Sequence, residues 1–571
     1  MVWGSAVQRR PVVASRPSGL RRGLGAAAVI LMIASTVPAC AAKSTSGGSD
    51  AGPTIQAGPA VHSPNLLVNS DAEVGDPSLT GYSSVTIPGW SVTGTPTVIR
   101  YGTPREVHVW YSKSRYPTLP SFLGFPAEGA DSTGGTQFFG GGPVGSSTLT
   151  QTVDLRKVAP EIDTSATSYT LSGDLGGFGV DRSQASIAVT FLGAAGQTLG
   201  TATTGPVRVF DRGLRTRLVH RETSGTIRVG TVSAKVVVAL QDLNPLLEHY
   251  NNAYADNISF TVAGVRLPAP PPPARPASAV RPLDHVFLVN MENHGYDNVV
   301  GNPDMAYLNG LINTYGVADN YYALTHPSAP NYFPMLGGSD FGYDYDNPTP
   351  GINEPNLADK IEAVGKTWAG YIGPEGFLPF ESYTSIADNP ARKAAHLFPL
   401  TQMAADLATP ATTPHFVWFA AGEDTNGEGP IDSLSGKLRY VASSLQAAVG
   451  LPGGAHYNLA AADHFLQTTV PTILNSPAWK TQRSALVITW DEDFSNTSLG
   501  AGNEGNHVVT VAIPSPGAVA GGMRTGHFTA TDRYDHYSLL TTIEQALGLP
   551  TLTNNDKYAQ PMNEFWTRPT S

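Results

Sequence analysis

Short runs of alternating apolar and polar residues recur between residues 63 and 264. They include Thr97-Val98-Ile99-Arg100-Tyr101, Ser147-Thr148-Leu149-Thr150-Gln151-Thr152-Val153, Ser186-Ile187-Ala188-Val189-Thr190-Phe191 and Lys235-Val236-Val237-Val238-Ala239-Leu240. A period of two turns one face of each run inward, which is the pattern of a half-buried strand. Gly, Pro and Asp clusters separate the runs, so the spacing predicts an all-β jelly-roll sandwich over 63–264. From residue 282 the pattern changes. Continuous apolar runs at His285–Asn290, His415–Ala420, Ser484–Trp490 and His507–Pro514 alternate with helical stretches at Met305–Tyr315, Asn356–Val364, Leu459–Leu474 and Tyr537–Leu547. This predicts an α/β domain over 282–571, with a mostly parallel sheet covered by helices on both faces. Between the two lies a proline-rich linker, 265–281, whose stiffness is expected to hold the domains apart.

The first residues show a different order. Arg9, Arg10, Arg16, Arg21 and Arg22 precede an apolar run, Leu24–Val37, and then Pro38-Ala39-Cys40. A basic flank, an apolar stretch and small residues at a cut predict a signal peptide over 1–39. The run is shorter than the ~20 apolar residues of a spanning helix. Residues 40–62 read as a flexible tether, rich in Ser, Gly and Ala. Cys40 is the only cysteine, so no internal disulfide forms, and both domains must rely on core burial or bound metals.

Composition narrows the classes further. A chain of 571 residues exceeds one ordinary core, and 60 Gly with 46 Pro fit a loop-rich, strand-rich protein. The net charge of −11, with no basic stripe, argues against a nucleic-acid partner. A phosphate substrate is still allowed, because a site metal reverses the local field.

In a parallel sheet, functional groups gather at the carboxyl ends of strands. Three clusters stand there: Glu292-Asn293-His294, Thr325-His326-Pro327-Ser328-Ala329-Pro330-Asn331-Tyr332 and Asp491-Glu492-Asp493. Acids stacked at buried strand ends are unfavourable unless something cationic neutralises them, which points to a divalent metal. Ser328 is the candidate nucleophile, expected to lie beside helix N–H donors, with Asn331 adding a side-chain amide for developing charge. The plainer alternative for Ser328 is an ordinary helix cap.

Four stretches occur in order: Met291-Glu292-Asn293-His294-x-Tyr296, His326-Pro327-Ser328-x-Pro330-Asn331-Tyr332, Ile488-Thr489-Trp490-Asp491-Glu492 and His536-Tyr537-Ser538-Leu539-Leu540. Together they resemble the phosphoesterase family of bacterial acid phosphatases and phospholipases C, within the alkaline-phosphatase superfamily, over nearly all of 282–571. The resemblance implies an exported, metal-dependent phosphoesterase of the acid phosphatase or phosphatidylinositol-phosphate phosphatase type, working through a phosphoseryl intermediate. It implies Ser328, Asn331 and His536 as catalytic residues, and Glu292, Asn293, Asp491 and Glu492 as ligands of a divalent metal. His326, His456 and Asp463 are further candidates. Two family segments have only poor counterparts, Arg392-Lys393-Ala394-Ala395-His396 and the stretch from Glu423 to Pro430.

Val37-Pro38-Ala39-Cys40 resembles a bacterial lipobox, which implies lipidation at Cys40 and a protein anchored to the outer face of the cell membrane, or else secreted. Asn65 to Glu73, Ile87-Pro88-Gly89-Trp90 and Ala255 to Phe260 resemble galactose-binding-like modules. Such a module implies a structural calcium at Glu73 and Asp256 and a cell-surface or extracellular glycan as partner. Equally open is that both acids simply hydrogen-bond turn backbones. Two other readings of the whole chain stand beside the phosphatase. One is a phospholipase C or phosphodiesterase on the same site, and the other an inactive phosphoesterase-like surface protein that binds glycans. The chain has no Gly-x-Ser-x-Gly elbow and no His-Glu-x-x-His.

Overall fold

A computed structural model describes residues 62–104, 124–129, 135–164, 167–243, 250–346, 351–427, 429, 438, 442, 458–493 and 506–567. The signal peptide, Cys40 and most of the tether lie outside the described residues, as does His456.

Among the described residues, ten strands make the N-terminal part: β1 (Ser91–Thr93), β2 (Thr97–Arg100), β3 (Gln137–Gly142), β4 (Ser146–Asp154), β5 (Ser168–Gly177), β6 (Gln184–Gly193), β7 (Thr198–Val207), β8 (Arg217–Thr226), β9 (Thr231–Gln241) and β10 (Asn251–Ala263). They form two antiparallel five-stranded sheets, ordered β1-β4-β9-β6-β7 and β2-β3-β10-β5-β8. Every second residue of β6 is buried, and the register sets Ile187 opposite Val238 and Val189 opposite Val236. These side chains share one core with Leu171, Leu175, Phe260 and Val262 of the other sheet. Each fully buried side chain of this size stabilises by about 1.5–3 kcal/mol, so alternation alone fixes which face of each strand turns inward. The first described segment joins the last strand, with Ser63 N donating to Val262 O at 2.8 Å and Leu66 N to Phe260 O at 2.9 Å.

The C-terminal part is built on β11 (His285–Met291), β12 (Gly316–Ala318), β13 (Tyr321–Tyr322), β14 (Trp368–Ile372), β15 (Leu397–Pro399), β16 (Phe416–Ala420), β17 (Ser484–Trp490), β18 (Thr510–Pro514), β19 (Phe528–Ala530) and β20 (Tyr534–Asp535). Eight of them order as β15-β14-β16-β11-β17-β18-β12-β19, and β13 pairs with β20. β11 and β17 are buried along their whole length, as their unbroken apolar runs require. The sheet is mixed: β18 runs antiparallel to both β17 and β12, while β11 is parallel to β16 and β17. The helices Ala306–Ile312, Leu357–Ala363, Leu459–Leu474 and His536–Leu547 fall within a residue or a few of the stretches that periodicity marks.

The expectation that the linker holds the two parts apart is corrected. Residues 59–571 form one unit, and hydrogen bonds cross directly between its two parts. Ser83 Oγ donates to Asp340 Oδ2 at 2.6 Å, and Ser84 N donates to Leu324 O at 2.8 Å. Asp76 accepts from Asn554 N and Nδ2 at 2.8 and 2.9 Å, and Arg533 Nε donates to Gly94 O at 2.9 Å. The linker itself is fastened, with Ala279 N donating to Asn563 Oδ1 at 2.7 Å. A stiff segment fixes a length but not a direction, and polar groups on the two surfaces find partners in each other.

Ser83 and Asp340 are both buried, and burial raises the Asp340 carboxyl above the usual carboxylate range. Removing the serine hydroxyl leaves Asp340 Oδ2 without that donor, while Gly342 N stays on Oδ1 at 2.9 Å. Ser83→Ala should therefore cost about 1–3 kcal/mol in denaturant unfolding. The two parts should unfold in one shared transition that moves as a whole.

Candidate active site

The strand register assembles the acids. β11 and β17 lie side by side with Met291 opposite Trp490, so the next residues, Glu292 and Asp491, emerge together at the carboxyl ends. Asp491 N donates to Met291 O at 3.0 Å, and Asn293 N donates to Asp491 Oδ1 at 3.0 Å. Asn293 adopts a left-handed conformation (φ 62°), which asparagine tolerates better than most residues and which turns the chain sharply after the strand. A Cβ at Gly295 would overlap the Asp493 carboxylate, so glycine here lets that acid close onto the turn.

Ser328 stands at the start of the helix Ala329–Gly337 but does not cap it. Its Oγ donates to Glu492 Oε1 at 2.9 Å, and the other oxygen, Oε2, pairs with His326 Nδ1. His326 Nε2 is buried with no hydrogen-bond partner. Burial lowers His326 to about 4 and raises Glu492 well above the carboxylate range, with Asp346 adding to the rise. Both shifts favour uncharged groups, so one proton is shared between Glu492 Oε2 and His326 Nδ1, while Oε1 accepts from the serine. Asp491 is likewise raised, by burial first and then by the Glu492 charge, and its Oδ2 is buried with no hydrogen-bond partner.

Three of the expected donors have internal partners. Asn331 Nδ2 donates to Thr325 O and Pro327 O at 2.8 and 3.0 Å, while its Oδ1 accepts from Leu324 N and Thr325 N. The amide therefore clamps the loop that carries Ser328. The helix start offers no free donor either. Ala329 N is engaged by Asp346 Oδ1 at 3.0 Å, Pro330 has no N–H, and the N–H groups of Asn331 and Tyr332 turn to Ser328 O. His536 is buried, donates from Nε2 to Asp491 O at 2.8 Å and meets Tyr321 Oη at Nδ1, 3.0 Å away. It holds the Asp491 backbone, and burial lowers it to about 4, so it stays neutral.

Other expected residues lie elsewhere. Asp463 accepts from Tyr307 N and Leu308 N and anchors the start of the helix Ala306–Ile312. Glu73 accepts from Thr136 N, Gln137 N and Thr136 Oγ1, whereas Asp256 accepts from Tyr101 Oη at 2.6 Å and Asn257 N at 2.7 Å. Among the described residues, no group of three or more His, Cys, Asp or Glu lies in a metal-holding arrangement.

Several residues of the site escape sequence reasoning. Tyr332 Oη donates to Glu292 Oε1 at 2.6 Å, and Asn426 Nδ2 donates to Glu292 Oε2 at 3.0 Å. Asn426 belongs to the poorly matching stretch after β16, yet it reaches the site because β16 neighbours β11. Asn506 bridges Asp493 N and Thr325 O. Asp346 lies in a Tyr- and Asp-rich loop that carries no periodic signal.

Residues 302–550 match the model described as the Phosphoesterase family. The match spans most of the C-terminal part and supports a hydrolase of phosphoric ester bonds. A phosphatidylinositol-3-phosphatase from Mycobacterium tuberculosis is 26% identical over 292 residues, covering 51% of this chain and 85% of that protein. A probable acid phosphatase from Kluyveromyces lactis is 34% identical over 101 residues, only 17% of this chain and 22% of that protein. A solved alkaline-phosphatase-superfamily protein from Vibrio parahaemolyticus aligns with a TM-score of 0.33 at 12% identity, over 50% of this chain and 71% of that one.

The clamp in the phosphoesterase domain can be tested at Asn331. Asn331→Ala removes four hydrogen bonds and should lower stability by about 2 kcal/mol or more, with a fall in turnover as the Ser328 loop loosens. Thermal unfolding read beside steady-state kinetics checks this. A raised KM with unchanged stability would instead put the amide on the substrate.

Proposed function

We propose that this chain is a phosphomonoesterase in which Ser328 is the nucleophile and Glu492, backed by His326, takes its proton. The observation that carries the proposal is the Ser328 hydroxyl donating to Glu492 Oε1 at 2.9 Å where a plain helix cap would turn to the backbone. A hydroxyl is a weak nucleophile unless a base activates it, and burial raises the Glu492 carboxyl, the group that receives the Ser328 hydroxyl, well above the usual carboxylate range. The serine proton moves to Oε1 as the Oε2 proton passes to His326 Nδ1. Oγ bonds to phosphorus as the ester P–O bond breaks, and the leaving oxygen takes the proton that the Glu492–His326 pair received. A water then gives that pair a proton as its oxygen bonds to phosphorus, and the pair returns the proton to Ser328 Oγ as the Oγ–P bond breaks and phosphate leaves.

A phosphate approaching Ser328 meets Glu292, Asp346, Asp491, Glu492 and Asp493, while the amide, helix and His536 donors are engaged elsewhere. Acidic groups at this density disfavour an approaching anion unless a cation intervenes. Asp491 Oδ2, buried and without a donor, is the kind of hard oxygen that such an ion takes. Glu292, Asn293 and Asp491 would hold a divalent metal, which when bound would neutralise the acids and polarise a phosphoryl oxygen. The relatives that are phosphatases support a monoester substrate, a phosphoinositide headgroup among them. The basic and apolar order before Cys40 supports export with acylation at that cysteine.

The full chain should hydrolyse a chromogenic phosphate monoester. Ser328→Ala should lower kcat by roughly a thousandfold or more, and a chelator should abolish activity until a divalent cation is restored. Full activity in Ser328→Ala would sink the nucleophile assignment, and indifference to chelation would sink the metal.

A further inference from the structure

Three large apolar side chains crowd one end of the β-domain. Phe210 is 82% exposed, Val180 70% and Leu214 50%. They belong to the loops β5–β6 and β7–β8, which share an end because Gly177 pairs with Arg217 across the ladder. The loops are ordered as one piece. Arg212, fully buried, donates from Nη1 to Gly179 O and Arg215 O at 3.0 and 3.1 Å, and from Nη2 to Asp181 O at 2.6 Å. Leu214 N donates to Val209 O at 3.1 Å, which closes the turn beneath Phe210. Around the apolar tips stand Arg208, Arg215 and Arg217, all exposed. Two acids stand nearby, Asp211, which receives Arg208 N at 2.8 Å and lies 3.6 Å from Arg221, and Asp181, which accepts from Ser183 N at 2.7 Å, so the arginines remain in excess.

We infer that this end of the β-domain is a docking surface for an anionic lipid bilayer, with Phe210, Val180 and Leu214 entering the headgroup region and the arginines meeting lipid phosphates. The chemistry selects this partner. The centre of a protein–protein interface is depleted in charge, and a glycan platform offers a flat ring among hydrogen-bonding groups. Protruding apolar tips ringed by cations match a surface that is anionic outside and apolar beneath. The rigid Arg212 brace means that no ordering of the loops opposes insertion. The surface lies at the same end of the sheets as the contact to the phosphoesterase domain, since Gly94, which receives Arg533, is next to Ser146.

The test uses the full chain with Cys40→Ser, which removes the acylation site and leaves no other cysteine. Val180→Cys then carries a single polarity-sensitive fluorophore. Its emission should shift to the blue on vesicles of phosphatidylcholine with about one-third phosphatidylserine, and the shift should weaken at about 0.5 M salt. Vesicle sedimentation of the unlabelled Cys40→Ser chain should show weaker partitioning for Arg208→Glu/Arg215→Glu, by about tenfold or more, and for Phe210→Ser/Leu214→Ser, with thermal unfolding unchanged. No emission shift on anionic vesicles overturns the inference. So does a shift equal on pure phosphatidylcholine, or one produced instead by soluble glycan or by self-association.

Discussion

The constraint on which the phosphoesterase domain depends is the register between two buried strands. With Met291 opposite Trp490, the chain must set Glu292 beside Asp491 at the edge of an apolar core, and Glu492 follows at once. Burial there disfavours charge, and each acid makes its neighbours harder to ionise. The surrounding loops answer that pressure. Tyr332 and Asn426 donate to Glu292, Asn293 donates to Asp491, and Ser328 with His326 engages Glu492. Ser328 is thus held by the same electrostatic demand that gathers the other donors around these acids.

Around this centre a second group of residues does positional work. Asn331 ties the loop ahead of the helix to the helix itself, His536 grips the Asp491 carbonyl, and Asn506 joins Asp493 to Thr325. All are buried polar groups with internal hydrogen bonds, so they set the geometry of the loops around Ser328. The β-domain joins the same network from outside. Ser84 N meets Leu324, four residues before Ser328, and Ser83 meets Asp340 just beyond the helix.

Periodicity in the sequence was enough to locate the strands and most helices, because a buried strand and an amphipathic helix bury different spacings of the same apolar residues. It also placed Glu292, Ser328 and Asp491 at strand or helix ends, where parallel sheets collect their chemistry. The direction in which a polar side chain turns was not legible. Asn331 and His536 stand in the expected motifs, yet their partners are backbone carbonyls that only the folded loops bring near. Asp346 and Asn426 lay hidden for the opposite reason, since each comes from an irregular segment whose position follows from long-range packing. The proline-rich linker misled because composition reports stiffness but not what the flanking surfaces bury.

The adjacent pair Ser83 and Ser84 has a consequence for how such a protein can change over generations. A proline-rich junction looks like a seam along which domains are exchanged, but exchange here would remove the donor that the buried Asp340 needs and the one that holds Leu324. A foreign module would have to bring two hydrogen-bond donors to the same places, one from a side chain and one from the neighbouring backbone. The heritable unit is therefore the pair of domains, and drift at position 83 is tied to drift at position 340.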